Sequence, residues 1–405
     1  MRKKLVVTTA ALLGVTSLVS GCSGNSKIAD FSNNEQISAS NYVLAIRTSP
    51  QLRDIQENTP GYIALFDEKG NGKQINIGAL FRSKMLWNKS GISVGGSDDE
   101  ISITDSGLTK TPRGSKEAVE SARLFTQNDT GFVSIYDAGI MDKKYTTRIR
   151  TGNSQSADNR ELQGRFYYAA LCGDELYGVT LTGYLPHANA EQGSTNAPQE
   201  HHHSLVKLTP KPDTDSKPIA EIAPAEIGYS DADTSTGYCV NDNLIMVTNQ
   251  SKNKKKMNTN VLRKWNTKTG EHTAIELTDK TTKKPLEEKE ETSNSPKQFG
   301  VKDGFSYWQN RGAVIHKTNI ENGETEIFAK PADNLFSQGT ARYVLEGNSI
   351  FGLYKQKDAS APLQLIKYDL KTGAATKVME VPGHDGILKD KQFITDFAVR
   401  PGFGK

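Results

Sequence analysis

The chain has 405 residues, of which 24% are charged and 8% aromatic, with fifty Lys and Arg against forty-seven Asp and Glu. Taking away residues 1–21 removes Arg2, Lys3 and Lys4 and leaves forty-seven charges of each sign. A formally neutral body has no global field with which to gather phosphates, so nucleic acid is excluded as an expected partner.

Arg2, Lys3 and Lys4 precede an uncharged apolar run over residues 5–18, too short for a comfortable membrane span. Small residues then lead to Val19-Ser20-Gly21-Cys22. A Cys directly after that tripeptide resembles the lipobox of bacterial lipoproteins. The resemblance implies that residues 1–21 are a cleaved signal peptide and that the Cys22 thiol carries a diacylglycerol. It also implies that the chain is lipid-anchored at the cell membrane, on the extracytoplasmic side; the alternative is an ordinary secretory signal with an incidental Cys. Residues 22–40 are rich in Ser, Asn and Gly and read as a tether. A flexible coil of this length reaches roughly 20–25 Å.

From residue 41 the apolar pattern is short and alternating, with runs rich in Val, Ile, Tyr and Phe broken by Gly, Asn and Asp. This is an all-β pattern. Turns of one kind recur at Asp67–Gly70, Asn266–Gly270, Asn319–Gly323 and Asp369–Gly373. Asx and Gly supply the backbone conformations that tight hairpins need. A second kind recurs at Gly173–Glu175, Asn241–Asn243, Lys302–Gly304 and Glu346–Asn348. The clearest unit, 341–381, places four strands in the length of a propeller blade.

Such units fall at 84–110, 120–150, 165–222, 235–278, 297–331 and 341–381, in a single domain over 41–405. Strands near 41–47, 62–67 and 73–77 are completed by one near 392–399, which closes a seventh blade and leaves no open edge. The architecture resembles seven-bladed β-propellers of the broad non-WD40 kind, with six or eight blades as alternatives because strands around 111–160 are poorly marked. Long segments at 48–60, 186–200 and 250–258 join second to third strands, and 151–163 and 279–297 are expected to link blades. Both kinds of connection emerge on one face, where function is expected.

Cys172 and Cys239 are the two thiols besides Cys22. Outside the cytoplasm such a pair is expected to be bridged. Counted from the following strand they differ by one residue, which places their side chains on opposite sheet faces unless turn length cancels the slip. His201, His202 and His203 share a long loop with His187. Imidazoles suit Zn or Cu, yet in extended backbone at most two of the triplet serve one ion. A metal site and a solvated polar loop both fit. Lys252, Lys254, Lys255 and Lys256 form a basic loop that fits either anionic headgroups or solubility, with Glu287, Glu288, Glu290 and Glu291 on a neighbouring loop. Asp105–Thr109 reads as an ordinary hairpin turn, and Trp87, Trp265 and Trp308 as packing between blades.

No nucleophile elbow, zinc-protease helix, haem-attachment motif or phosphate loop is present. The reading is therefore a monomeric, lipid-anchored binding or scaffolding module, not an enzyme, that holds a protein or small molecule on its long-loop face. A metal carrier using the His-rich loop is the alternative, and an enzyme of envelope glycans or small molecules is third.

Overall fold

The computed structural model describes residues 28–404 apart from 32–35, 115, 118, 127–129, 142–143, 154–156, 186–201, 209–217, 223–234, 253–256, 290–295, 311, 333–334, 336–340, 359 and 389–390. Strands are grouped in seven sheets, each built on four antiparallel strands. In order from the centre outwards, blade 1 is Met85–Asn88, Gly91–Gly95, Asp99–Thr104 and Gly107–Pro112. Blade 2 is Val119–Phe125, Phe132–Met141, Lys144–Gly152 and Ala157–Gln163. Blade 3 is Phe166–Cys172, Glu175–Leu181, His203–Lys207 and Pro218–Ile222. Blade 4 is Tyr238–Val240, Asn243–Lys252, Met257–Asn266 and His272–Glu276. Blade 5 is Lys297–Lys302, Phe305–Gln309, Ile315–Asn319 and Glu324–Ala329. Blade 6 is Arg342–Glu346, Ser349–Tyr354, Leu363–Asp369 and Ala375–Val381.

Blade 7 is made from both ends of the domain. Its inner strand Phe393–Val399 pairs antiparallel with Leu44–Ser49, which continues into Tyr62–Phe66 and Gly72–Asn76. The ring is thus closed by pairing the two ends of the domain, as the sequence pattern led one to expect, and the fold is the all-β seven-bladed propeller rather than its six- or eight-bladed alternatives.

The repeated Asx–Gly turns join third to fourth strands. Their Asx side chain accepts backbone N–H groups two and three or four residues on: Asp67 from Lys69 and Asn71, Asn266 from Lys268 and Thr269, Asp369 from Lys371 and Thr372. Gly70, Gly270, Gly323 and Gly373 have φ of 82°, 76°, 75° and 71°, where a side chain is strained. Space excludes one as well, since a Cβ on Gly323 would meet Ile275 of blade 4 at 2.7 Å. Each such turn leans on the outer strand of the preceding blade.

Three sequence expectations change. Residues 157–163 are not a link between blades but the outer strand of blade 2, in which Leu162 is the buried apolar residue of a charged edge. Within 250–258, strand extends to Lys252 and resumes at Met257, so most of that loop is hairpin. Part of the expected tether is in place on the propeller. Ala29–Asp30 pairs parallel with Lys73–Gln74, Ile28 packs on the core of blades 6 and 7, and Ile37 and Ala39 are buried beside blade 1. Asp105, in its hairpin turn, accepts the Ser40 N–H at 2.8 Å.

Cys172 and Cys239 are bridged, with Cα atoms 5.2 Å apart. Both hairpins have two-residue turns, so the slip is not cancelled: Cys172 stands opposite Glu175 but Cys239 opposite Leu244. The slip is what a bridge between neighbouring blades needs. Cys172 lies on the blade 3 face that packs against blade 4, with Ala170 and Tyr177, while Cys239 shares with Leu244 the blade 4 face that looks back. Facing sheets present opposite faces to each other, so residues that meet are offset by one. Trp87, Trp265 and Trp308 are buried between blades, at 6%, 0% and 0% exposure.

Candidate functional site

Inner strands begin on the face where second-to-third and fourth-to-first connections emerge. Their first residues therefore form the mouth of the central channel on the long-loop face. Lys84 precedes the blade 1 inner strand, Tyr238 opens that of blade 4, and Arg342 that of blade 6; Asp396 lies in that of blade 7, and all four are partly exposed. The Met85 N–H donates to Asp396 Oδ2 at 2.8 Å and the Lys84 N–H to Glu120 Oε2 at 2.8 Å. Burial raises the Asp396 carboxyl above its ordinary range, against the lowering effects of Lys84, two backbone N–H groups and Arg342. Burial also raises the Tyr238 phenol, and the Asp396 charge adds to it. Blades 7 and 4 are not neighbours, so these two groups feel each other only across the channel. Lys84, Tyr238, Arg342 and Asp396 therefore converge from four blades on one polar mouth.

On the long-loop side of Tyr238 the channel is occupied. Ser235–Thr236 adds to the inner edge of blade 3 as a short parallel strand, and the Gly237 N–H donates to the Ala169 carbonyl at 2.8 Å. The segment comes up against the inner strands of blades 2 and 5. It satisfies backbone groups that would otherwise line the channel, and the disulfide at Cys239 fixes its end.

Around the mouth the face is aromatic and apolar. The Arg165 guanidinium lies 5.8 Å from the Tyr145 ring and 5.5 Å from the Tyr167 ring, and pairs with Asp137 at 3.7 Å. Tyr184 packs edge-on to Tyr145 at 4.6 Å and lies 6.4 Å from Tyr167. These side chains are half-buried, at the junction of blades 2 and 3. The hairpin of blade 2 beside them carries Ile140 and Met141, 52% and 40% exposed, and blade 7 carries Leu52 and Phe393 at 44% and 48%. The remaining large hydrophobic exposed among the described residues is Ile327, on the outer strand of blade 5. The exposed apolar surface is thus concentrated on the long-loop face.

Of the sequence-predicted site residues, Cys172 and Cys239 are brought together as a bridge. Cys22, His187 and His201 lie outside the described residues, as do Lys254, Lys255, Lys256, Glu290 and Glu291. His203 is buried at the start of its strand, and His202 precedes it, half-exposed. Among the described residues no group of three His, Cys, Asp or Glu is placed to hold a metal ion. No helix among the described residues is long and apolar enough to cross a membrane. The tyrosine–arginine cluster and the channel mouth escaped the sequence reading. Arg165-Phe166-Tyr167-Tyr168 opening a blade was the one local signal; Asp396 and Lys84 are 312 positions apart in the chain and meet only through ring closure.

A closed seven-bladed propeller with a polar channel mouth belongs to a class with many functions. The family model described as YycP, beta-propeller domain, matches residues 46–400, and the chain belongs to that family. No curated protein matches the sequence. Among solved structures, an ACO/RPE65 chimera aligns with a TM-score of 0.50 at 10% identity, over 90% of this chain and 93% of its own. A prolyl endopeptidase aligns at 0.42 and 12% identity, over 84% of this chain and 42% of its own. Puromycin hydrolase aligns at 0.44 and 10%, over 86% and 54%. At these identities the likeness is one of fold alone.

Proposed function

We propose that this chain is a lipid-anchored, extracytoplasmic binding module that holds a protein partner on its long-loop face. The observation that carries this is the exposure of Ile140 and Met141 beside the Tyr145–Tyr167–Tyr184–Arg165 cluster on one face. Interfaces are enriched in aromatic residues, Met and Arg, and their energy is concentrated in a few such side chains. At the centre of the face, the mouth formed by Lys84, Tyr238, Arg342 and Asp396 suits a charged group of the partner, either a chain end or a single side chain. A second reading, turnover of a small molecule at the mouth, is favoured by the same convergence of charged groups.

Photo-crosslinking in intact cells tests the first reading. A crosslinker replacing Met141 or Tyr184 is expected to capture one defined protein, and one replacing Asn348 on the opposite face is expected to capture none. Tyr184→Ala should weaken retention of that protein about tenfold. Equal capture from both faces would sink the proposal.

A further inference from the structure

We propose that the blade 7 corner of the long-loop face, at Leu52 and Phe393, rests on the lipid bilayer. The inference builds on the reading of Cys22 as a lipidated N-terminus.

The first argument is the length of free chain. Ile28 is already seated on the propeller: it packs on the core of blades 6 and 7, where a Cβ on Gly386 would meet its Cδ1 at 3.4 Å. Ala29–Asp30 then pairs with the outer strand of blade 7. Six residue steps separate Cys22 from Ile28. Fully extended they span at most roughly 20 Å. A compact domain of this size has a radius of gyration of about 21 Å and is more than about 50 Å across. The tether is shorter than the domain is wide. The rim where blades 6 and 7 meet is therefore held near the bilayer, and whatever surface touches lipid adjoins that rim.

The second argument is what that rim carries. Gly386 belongs to the turn Gly383–Ile387, which leads directly into the inner strand of blade 7 at Phe393. Phe393 stands opposite Ser49, and Leu52 opens a short 3-10 turn just beyond it. Of the exposed large hydrophobics among the described residues, Leu52 and Phe393 are the two on blade 7. Arg53, with its side chain 81% exposed, and Lys391, also exposed, flank them. Apolar side chains flanked by long basic ones suit the boundary between headgroups and acyl chains.

The test uses the lipidated chain in vesicles of phosphatidylcholine and phosphatidylglycerol containing brominated acyl chains. Cys22 carries lipid and Cys172 and Cys239 are bridged, so Leu52→Cys, Phe393→Cys or Ile327→Cys supplies a single thiol for an environment-sensitive dye. Quenching at positions 52 and 393 is expected to be at least about twofold larger than at 327. Intact-mass analysis of the N-terminal peptide is done on the same samples. If Cys22 carries diacylglycerol but positions 52 and 393 are quenched no more than 327, the docking is overturned and the anchor stands. If Cys22 is unmodified, the anchoring reading falls and the docking with it. A dye response at position 393 that grows with protein concentration without vesicles would assign the corner to a second copy of the chain and also overturn the proposal.

Discussion

Blades 5 and 6 meet through an apolar cluster, as do five other pairs of neighbours, whereas blades 1 and 2 meet through charge. Between blades 5 and 6 the buried polar groups are tyrosine hydroxyls in a chain. Tyr343 donates to the Ala313 carbonyl at 2.6 Å, and Tyr354 lies 2.8 Å from Tyr343 and 2.6 Å from Tyr368. On the opposite face of blade 5, towards blade 4, His316 stacks on Trp308 at 4.2 Å in another apolar interface. Between blades 1 and 2, Arg123 is the hub. It donates to Glu120 at 2.8 Å, to Ser93 at 2.7 Å, to Glu100 at 2.7 Å and to Tyr136 at 3.1 Å, and Tyr136 donates to Glu100 in turn. One topology therefore tolerates two chemistries between its blades. The charged version also reaches the functional face, because Glu120 accepts the Lys84 N–H at the channel mouth.

The sharpest way to break this comparison is to remove the hub. Arg123→Ala leaves Glu100 and Glu120 buried without their cation and is expected to cost about 3–5 kcal/mol. Denaturant unfolding measures it; a loss of under about 1 kcal/mol would mean that the network does not hold the interface.

Acid distinguishes the apolar interface of blades 4 and 5 from the charged one next. Burial depresses His316 from 6.5 to about 4. The unfolded chain therefore takes up that proton first, so its contribution is present above pH 6.5 and is lost as pH falls towards 4. The full loss is roughly 3 kcal/mol. Burial raises Glu120 instead, so its contribution is greatest in acid and declines as pH rises. Melting temperature followed from pH 7 to 4 should fall less in His316→Phe than in the unaltered chain. Identical slopes would remove His316 as the cause.

The smallest effect belongs to the hydroxyl chain. Tyr354→Phe removes its middle link while keeping the ring and should cost about 1–2 kcal/mol, read by denaturant unfolding. A neutral outcome would show that the ring alone supports blade 6.

The same contrast explains what was legible in the sequence. Blade 6 alternates cleanly because both of its neighbours bury apolar side chains against it. Blade 2 has Ala122, Leu124 and Ile135 towards blade 3 but Arg123, Ser134 and Tyr136 towards blade 1. Polar residues on a buried face imitate a solvated one, which is why the sequence marks its strands poorly and gives its outer strand the look of a linker. The tyrosine–arginine cluster draws on two blades and a loop, so no single window contained it.

Local chemistry, then, was decided by sequence alone. The Asx–Gly turns, the blade-length spacing and the strands left over at each end point to a closed propeller of about seven blades, because turn conformation and strand alternation are short-range properties. Tertiary structure decided what short range cannot carry. It turned the one-residue offset of Cys172 and Cys239 from an obstacle into the condition for their bridge, since facing sheets meet with opposite faces. It also brought Asp396 and Lys84 to one channel mouth, because only closing the ring sets the last blade beside the first.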